Sequence, residues 1–70
     1  MPASEISLLR LPEVESRTGL RRSSIYDRVR VGQFPAPVPL GGNRVAWRSD
    51  EVANWIESRI AARDAKAGAR

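Results

Sequence analysis

The sequence predicts a small, mostly α-helical domain with one β-hairpin, and three observations lead to that prediction. Two short stretches with helical signals are separated by a turn that contains a glycine. A proline-rich segment then runs into a Gly-Gly-Asn turn, a composition typical of a hairpin. A third, longer stretch has apolar residues at helical spacing and acidic residues in its first turn. Together these elements predict one domain over residues 8–60.

The first helix is predicted over Pro12–Arg17. The chain start, residues 1–7, is expected to be flexible, and from Ile6 to Leu11 the backbone is expected to be extended and able to pair with the hairpin. Pro12 suits the first turn of a helix, where its missing N–H costs nothing. Gly19 ends the helix, because glycine readily adopts the left-handed conformation of a helix stop.

The second helix is predicted from Arg22 to Val31, with Gly32 as its stop. At 100° per residue, Ile25 and Val29 share its buried stripe. Most of the remaining surface carries side chains that form hydrogen bonds. They are Ser23, Asp27 and Arg30 on the outer face, Arg22 and Tyr26 on one border, and Ser24 and Arg28 on the other. The helix is therefore predicted to expose a polar face.

The hairpin is predicted to pair Val38–Leu40 with Val45–Trp47. Prolines at positions 35, 37 and 39 exclude a central strand but permit an edge strand. The intervening turn, Gly41–Arg44, consists largely of residues that tolerate positive φ, and it places Asn43 and Arg44 at the tip.

The third helix is predicted from an N-cap at Ser49 to about Ile60. Residues 61–70 are expected to be a frayed helix end or a disordered tail. The predicted core consists of the apolar residues that these elements turn inward. They are Val14, Leu20, Ile25, Val29, Phe34, Trp47, Val52, Trp55, Ile56 and Ile60. Stacking of the two tryptophans on single-stranded nucleic acid is the weaker alternative to core packing.

The composition excludes several classes of site and favours a polyanionic partner. The chain has no cysteine and no histidine, so it lacks thiolate and imidazole metal ligands and the commonest general base. We therefore expect neither an enzyme nor a cofactor or metal site. The net charge is +4, and residues 17–48 contain seven arginines but one acid, Asp27. This concentration of positive charge is typical of nucleic-acid binding, although a genome rich in G and C also enriches arginine.

The order of elements is that of a winged helix-turn-helix, in which the second helix enters the major groove of double-stranded DNA. The side-chain types predict two kinds of contact. Base edges are assigned to Ser23, Ser24, Asp27 and Arg30, and phosphates to Arg21, Arg22, Tyr26 and Arg28. The hairpin tip, Asn43 and Arg44, is expected to lie against a minor groove or the backbone. For Tyr26, a border position that covers the core is an equally good interpretation.

Specific motifs carry a resemblance to a known family. The run from Leu8 to Ile60, with its motifs TGL, SSIY, GQFPAPVPLGG and VAWRSDEVANWI, resembles the AlpA-type prophage regulators, small MerR-like DNA-binding proteins that also include phage excisionases. The resemblance implies a MerR-like winged fold, a recognition helix over residues 22–31 and a wing around residues 41–44. Members of that family usually have a serine at the position of Arg21, and often a basic residue at the position of Asp27.

The resemblance predicts a small transcription regulator of a prophage or mobile element that binds specific DNA in the cytoplasm. An excisionase that bends DNA for an integrase is the first alternative, and a protein-interaction adaptor is the second. An integrase or RNA polymerase as a further partner stays open, as does a homo-oligomer on tandem DNA sites. No membrane partner is expected, because no apolar run reaches the roughly 20 residues of a spanning helix.

Overall fold

Three helices and a small antiparallel sheet follow one another along the chain in the computed structural model, which describes residues 5–68. The elements are β1 (Leu8–Leu9), α1 (Leu11–Thr18), α2 (Arg22–Arg30), β2 (Val38–Gly41), β3 (Arg44–Arg48) and α3 (Ser49–Gly68). This architecture confirms the predicted fold class, a mostly α-helical domain with a hairpin wing. Over the described residues, no helix combines the length and the apolar run that crossing a membrane requires.

The sheet joins the chain start to the hairpin. Its strand order is β1-β3-β2, with both neighbours antiparallel to β3 and with Leu9 opposite Trp47. The predicted lead-in therefore does pair with the hairpin, through Leu8 and Leu9. Its last predicted residue, Leu11, instead begins α1, which extends one residue beyond the predicted helix at each end.

Ser7, expected within a flexible start, is held in place: its N–H donates to Ser49 Oγ and its carbonyl accepts from Ser49 N–H, both at 2.8 Å. Residues 1–4 of the predicted flexible start lie outside the described residues.

The helix-turn-helix forms because two glycines end its helices. Gly19 has φ 76°, and its N–H donates to the Glu15 carbonyl at 2.8 Å, a left-handed helix cap. Gly32 has φ 78°, and its N–H donates to the Val29 carbonyl, while Gln33 N–H donates to the Arg28 carbonyl at 2.7 Å. This is a Schellman motif, and it ends α2 at Arg30, one residue before the predicted end.

α3 differs from the prediction at both ends. The hydroxyl of Ser49, predicted as an N-cap, accepts the hydrogen bond from Ser7 instead, and Asp50 Oδ1 accepts from Glu51 N–H at 2.8 Å. At the other end, residues 61–68 continue the helix beyond the predicted end near Ile60, and residues 69–70 of the predicted tail lie outside the described residues. Four alanines among residues 61–68 favour the helix, because alanine has the highest helix propensity.

Tryptophan side chains organise the core. Trp47 is fully buried together with Val14, Ile25 and Val52. The Trp47 indole N–H donates to the Pro35 carbonyl at 2.9 Å, and the half-buried Trp55 donates to the Gln33 carbonyl at 2.8 Å. The two indoles thus attach the proline-rich linker to the core, in agreement with the predicted core packing of both tryptophans.

Ile60, also predicted in the core, is 39% exposed, because it lies one turn beyond Ile56, the last α3 residue that packs against the core.

A two-bonded ion pair marks the junction of β3 and α3. Arg48 donates from Nε to Asp50 Oδ1 at 3.0 Å and from Nη2 to Oδ2 at 2.7 Å. These hydrogen bonds, and the charge of the guanidinium, hold the pKa of Asp50 below its ordinary value and raise the pKa of Arg48. The pair favours folding whenever Asp50 is ionised.

We expect this contribution to disappear in acid. A carboxyl whose pKa is lowered in the folded state stabilises it above the unfolded pKa, about 3.9 for aspartate, and the contribution is lost as the pH falls through the lowered value. Asp50→Asn should therefore reduce the urea midpoint at pH 7 and reduce it by less at pH 2. Urea titrations at both pH values test this, with Asp64→Asn as control. A reduction that persists unchanged at pH 2 would contradict the assignment.

Candidate nucleic-acid interface

The outer face of α2 is open to solvent. Ser23, Asp27 and Arg30 are all exposed, and within α2 only Ile25 is fully buried. Val29 completes the inward stripe and packs partly against the core. The spacing of these two apolar residues therefore decides which side of the helix faces solvent, and that side carries hydroxyl, carboxylate and guanidinium groups.

The start of α2 combines free backbone donors with two arginines. Arg21 is the N-cap residue, and its side chain makes no capping hydrogen bond. The first N–H groups of a helix lack partners within the helix and carry the positive end of its dipole. Arg21 and Arg22 are both exposed beside them. An anionic oxygen is the natural ligand for this arrangement.

Tyr26 connects α2 to the wing. Its ring packs edge-to-face on Trp47 of β3, with 5.8 Å between the ring centroids, and the Arg22 guanidinium lies 5.7 Å from the tyrosine ring centroid. Tyr26 is half-buried, as a border residue is expected to be. The aromatic contact fixes where one edge of α2 lies against β3, and the cation–π contact places Arg22 on the same edge.

The wing tip is a tight two-residue turn. Gly42 and Asn43 have φ values of 57° and 66°, and Gly41 pairs with Arg44 across the turn. Positive φ at both central positions is the pattern of a type I′ turn, which suits glycine and asparagine. Asn43 and Arg44 are exposed. Arg44 precedes Trp47 by three residues, roughly 10 Å along the strand, so the tip extends away from the contact between Tyr26 and Trp47.

Two predicted site residues are set apart from the others. Arg28 Nη1 lies 3.4 Å from the Ser24 carbonyl, and both side chains are half-buried on the border opposite Tyr26. Arg28 also lines an open groove that Arg17 of α1 and Arg59 of α3 share. These three arginines lie too far apart in the sequence for any local pattern to reveal the groove. The position of Arg28 beside the buried stripe was the one available signal.

The structure thus brings the predicted residues together in three groups. The outer face of α2 carries Ser23, Asp27 and Arg30, its start and the edge facing β3 carry Arg21, Arg22 and Tyr26, and the wing tip carries Asn43 and Arg44. Arg48, which the sequence interpretation left out, is engaged by Asp50. The arrangement provides hydrogen-bonding groups on one helix, and cations at the start of that helix and on the wing.

Comparison with known proteins gives consistent matches. The family described as Prophage CP4-57 regulatory protein (AlpA) matches residues 7–60. The uncharacterized protein ORF88 of Enterobacteria phage P4 is 48% identical over 66 residues, which cover 90% of this chain and 75% of that protein. The DNA-binding transcriptional activator AlpA of Escherichia coli (strain K12) is 34% identical over 62 residues, which cover 80% of this chain and 89% of that protein. The resemblance drawn from the motifs is confirmed, and the chain belongs to the AlpA family of prophage regulatory proteins.

Proposed function

We propose that the protein is a transcription regulator that binds specific sites on double-stranded DNA, with α2 in the major groove and the wing on the neighbouring backbone. The observation that carries this proposal is the polar, solvent-exposed outer face of α2, joined at its start by Arg21 and Arg22. The DNA-binding activity stated for the Escherichia coli relative supports it. Because the proposed ligand is DNA, we infer a cytoplasmic protein that acts by binding rather than by catalysis.

The side-chain types indicate which residues contact phosphates and which contact bases. Arginine and backbone N–H groups at the start of α2 suit phosphates, which fix the position of the protein without reading sequence. The outer face offers the Arg30 guanidinium and the Ser23 hydroxyl, groups that discriminate base edges in the major groove, with the Asp27 carboxylate beside Arg30. Arg44 at the wing tip adds a further cation for the backbone. Arg28 keeps its predicted phosphate role only for DNA that reaches the border beside the groove.

If arginines neutralise phosphates, the affinity for DNA should depend strongly on the salt concentration. If about five or six phosphates are neutralised, the logarithm of the binding constant should fall against the logarithm of the salt concentration with a slope near −5. Fluorescence anisotropy with a labelled duplex from the promoter region of the protein's own gene measures this slope. Binding that does not change with salt would contradict the proposal. Failure to bind any duplex at low salt, together with tight binding to a protein from the same mobile element, would favour a protein-interaction adaptor.

Removal of the wing arginine is expected to weaken DNA binding without changing its sequence preference. Arg44→Ala should weaken binding to specific and random duplexes by similar factors and make the slope less steep by about one. Arg63→Ala, at the far exposed end of α3, is the matched charge control. A loss confined to the specific duplex would assign Arg44 to a base instead.

Regulation and excision differ in what accompanies DNA binding. Footprinting beside a promoter with a change in transcript level supports the regulator, whereas sites within a recombination region and a bend that recruits an integrase support the excisionase. A single α2 reads only a few base pairs, so we infer that functional sites are tandem or paired. Footprints of one isolated copy at full occupancy would contradict that inference.

A further inference from the structure

The most basic part of the chain, residues 17–48, contains one acidic residue, Asp27, and seven arginines. Asp27 lies on the outer face of α2, and its side chain is 64% exposed. A carboxylate on a surface that approaches phosphates weakens binding to any duplex through repulsion between like charges. The position of Asp27 therefore requires a compensating interaction.

Arg30 provides that interaction one helical turn later. Arg30 Nη1 lies 3.1 Å from Asp27 Oδ1, between residues three positions apart on the same face. The contact joins one nitrogen to one oxygen, whereas Arg48 and Asp50 use two of each. Nη2 and Nε of Arg30 therefore keep donors for another acceptor. The Arg30 side chain is 72% exposed, so a ligand in solution can reach it.

We propose that Asp27 is a positioning residue that determines specificity through Arg30. Through this ion pair, Asp27 restrains Arg30, the last residue of α2, so that its remaining donors reach a guanine, whose O6 and N7 accept two parallel hydrogen bonds. The same negative charge repels the phosphates that compete for Arg30. This inference rests on the proposed function, since it assigns roles within the same DNA interface.

Two opposite effects are expected when the Asp27 charge is removed. Preference for guanine at the base pair that Arg30 reads should fall by at least about fivefold, because Arg30 is then free to bind phosphate. Affinity for random duplex should rise severalfold at low salt, because one repulsive charge has gone. A residue with a purely structural role would move both affinities in the same direction.

The test is selection from a randomised double-stranded DNA library, followed by anisotropy on the enriched and random duplexes. The full chain is used as wild type, Asp27→Ala, Asp27→Asn, Arg30→Ala and Asp64→Asn. Asp64 is the matched control, because it also pairs with an arginine, Arg63, at an exposed site but lies near the end of α3. Thermal unfolding of each variant verifies that it is folded at the temperature of the assay.

Each outcome decides the proposal. It is supported if both Asp27 variants lose the guanine preference at the same base pair as Arg30→Ala, gain affinity for random duplex, and Asp64→Asn matches wild type. It is overturned if wild type enriches a site and the Asp27 variants enrich the same site with undiminished preference. Loss at a different base pair also overturns it, because Asp27 then reads a base itself. If wild type enriches no sequence, the proposed specific binding fails, and this inference fails with it.

Discussion

Replacing Trp47 with alanine is expected to unfold most of the protein at 25 °C. The side chain is fully buried, and it packs on Tyr26 and donates to the Pro35 carbonyl. Truncation of a buried tryptophan costs about 3–5 kcal/mol. A domain of this size has only about 3–5 kcal/mol of net stability. Circular dichroism should show loss of the helical signal, and urea titration should show no cooperative transition.

Trp47→Phe separates packing from hydrogen bonding. Phenylalanine keeps an aromatic ring in the core but leaves the Pro35 carbonyl without its donor, at a cost of about 1–3 kcal/mol. We therefore expect this variant to fold with a lower urea midpoint than wild type. If Trp47→Ala unfolds cooperatively near the wild-type midpoint, the indole is not the centre of the core.

Arg21→Ser is expected to stabilise the protein and weaken its binding to DNA. Arg21 is the N-cap of α2 and its side chain makes no capping hydrogen bond, whereas serine at this position accepts one from the first turn. The gain is about 0.5–2 kcal/mol, which corresponds to a rise in Tm of roughly 4–8 °C per kcal/mol in a domain of this size. Loss of one phosphate contact should make the salt slope less steep by about one.

Arg10→Ser is the matched control, because Arg10 is the N-cap of α1 and also makes no side-chain cap. Serine there would offer an acceptor to the N–H of Glu13, the third residue of the helix, which donates to the Arg10 carbonyl at 3.0 Å. We expect this variant to be stabilised without any change in DNA affinity. Thermal unfolding and anisotropy on the same samples provide both measurements. Equal weakening of DNA binding by the two variants would remove the special role of Arg21.

Much of the fold could be predicted because its signals are local. Gly19, Gly32 and the Gly42-Asn43 turn have positive φ, as helix stops and a tight hairpin turn require. The spacing of Ile25 and Val29 was enough to identify the outward face of α2. Each of these features depends on residues within about one helical turn of each other, and sequence patterns report that range well.

The remaining features depend on contacts between distant parts of the chain. Serine is a residue type typical of an N-cap, yet the hydroxyl of Ser49 accepts a hydrogen bond from the N–H of Ser7, which is 42 positions away. Ile60 has the right spacing for the core, but no pattern reports where the body of the domain ends. Arg28 likewise lies at a border whose neighbour, α3, is set by tertiary packing. Periodicity identifies a face of a helix, and only the assembled fold determines what that face meets.

β2 is an edge strand, and its proline limits how the sheets of two copies can pair. Strand exchange and fibril growth require a continuous row of backbone donors along an open sheet margin. Pro39 lies within β2 and has no N–H to offer. If copies bind side by side on tandem DNA sites, as proposed, their sheets therefore do not join through this margin. A contact between such copies at the wing would then have to use side chains rather than strand pairing.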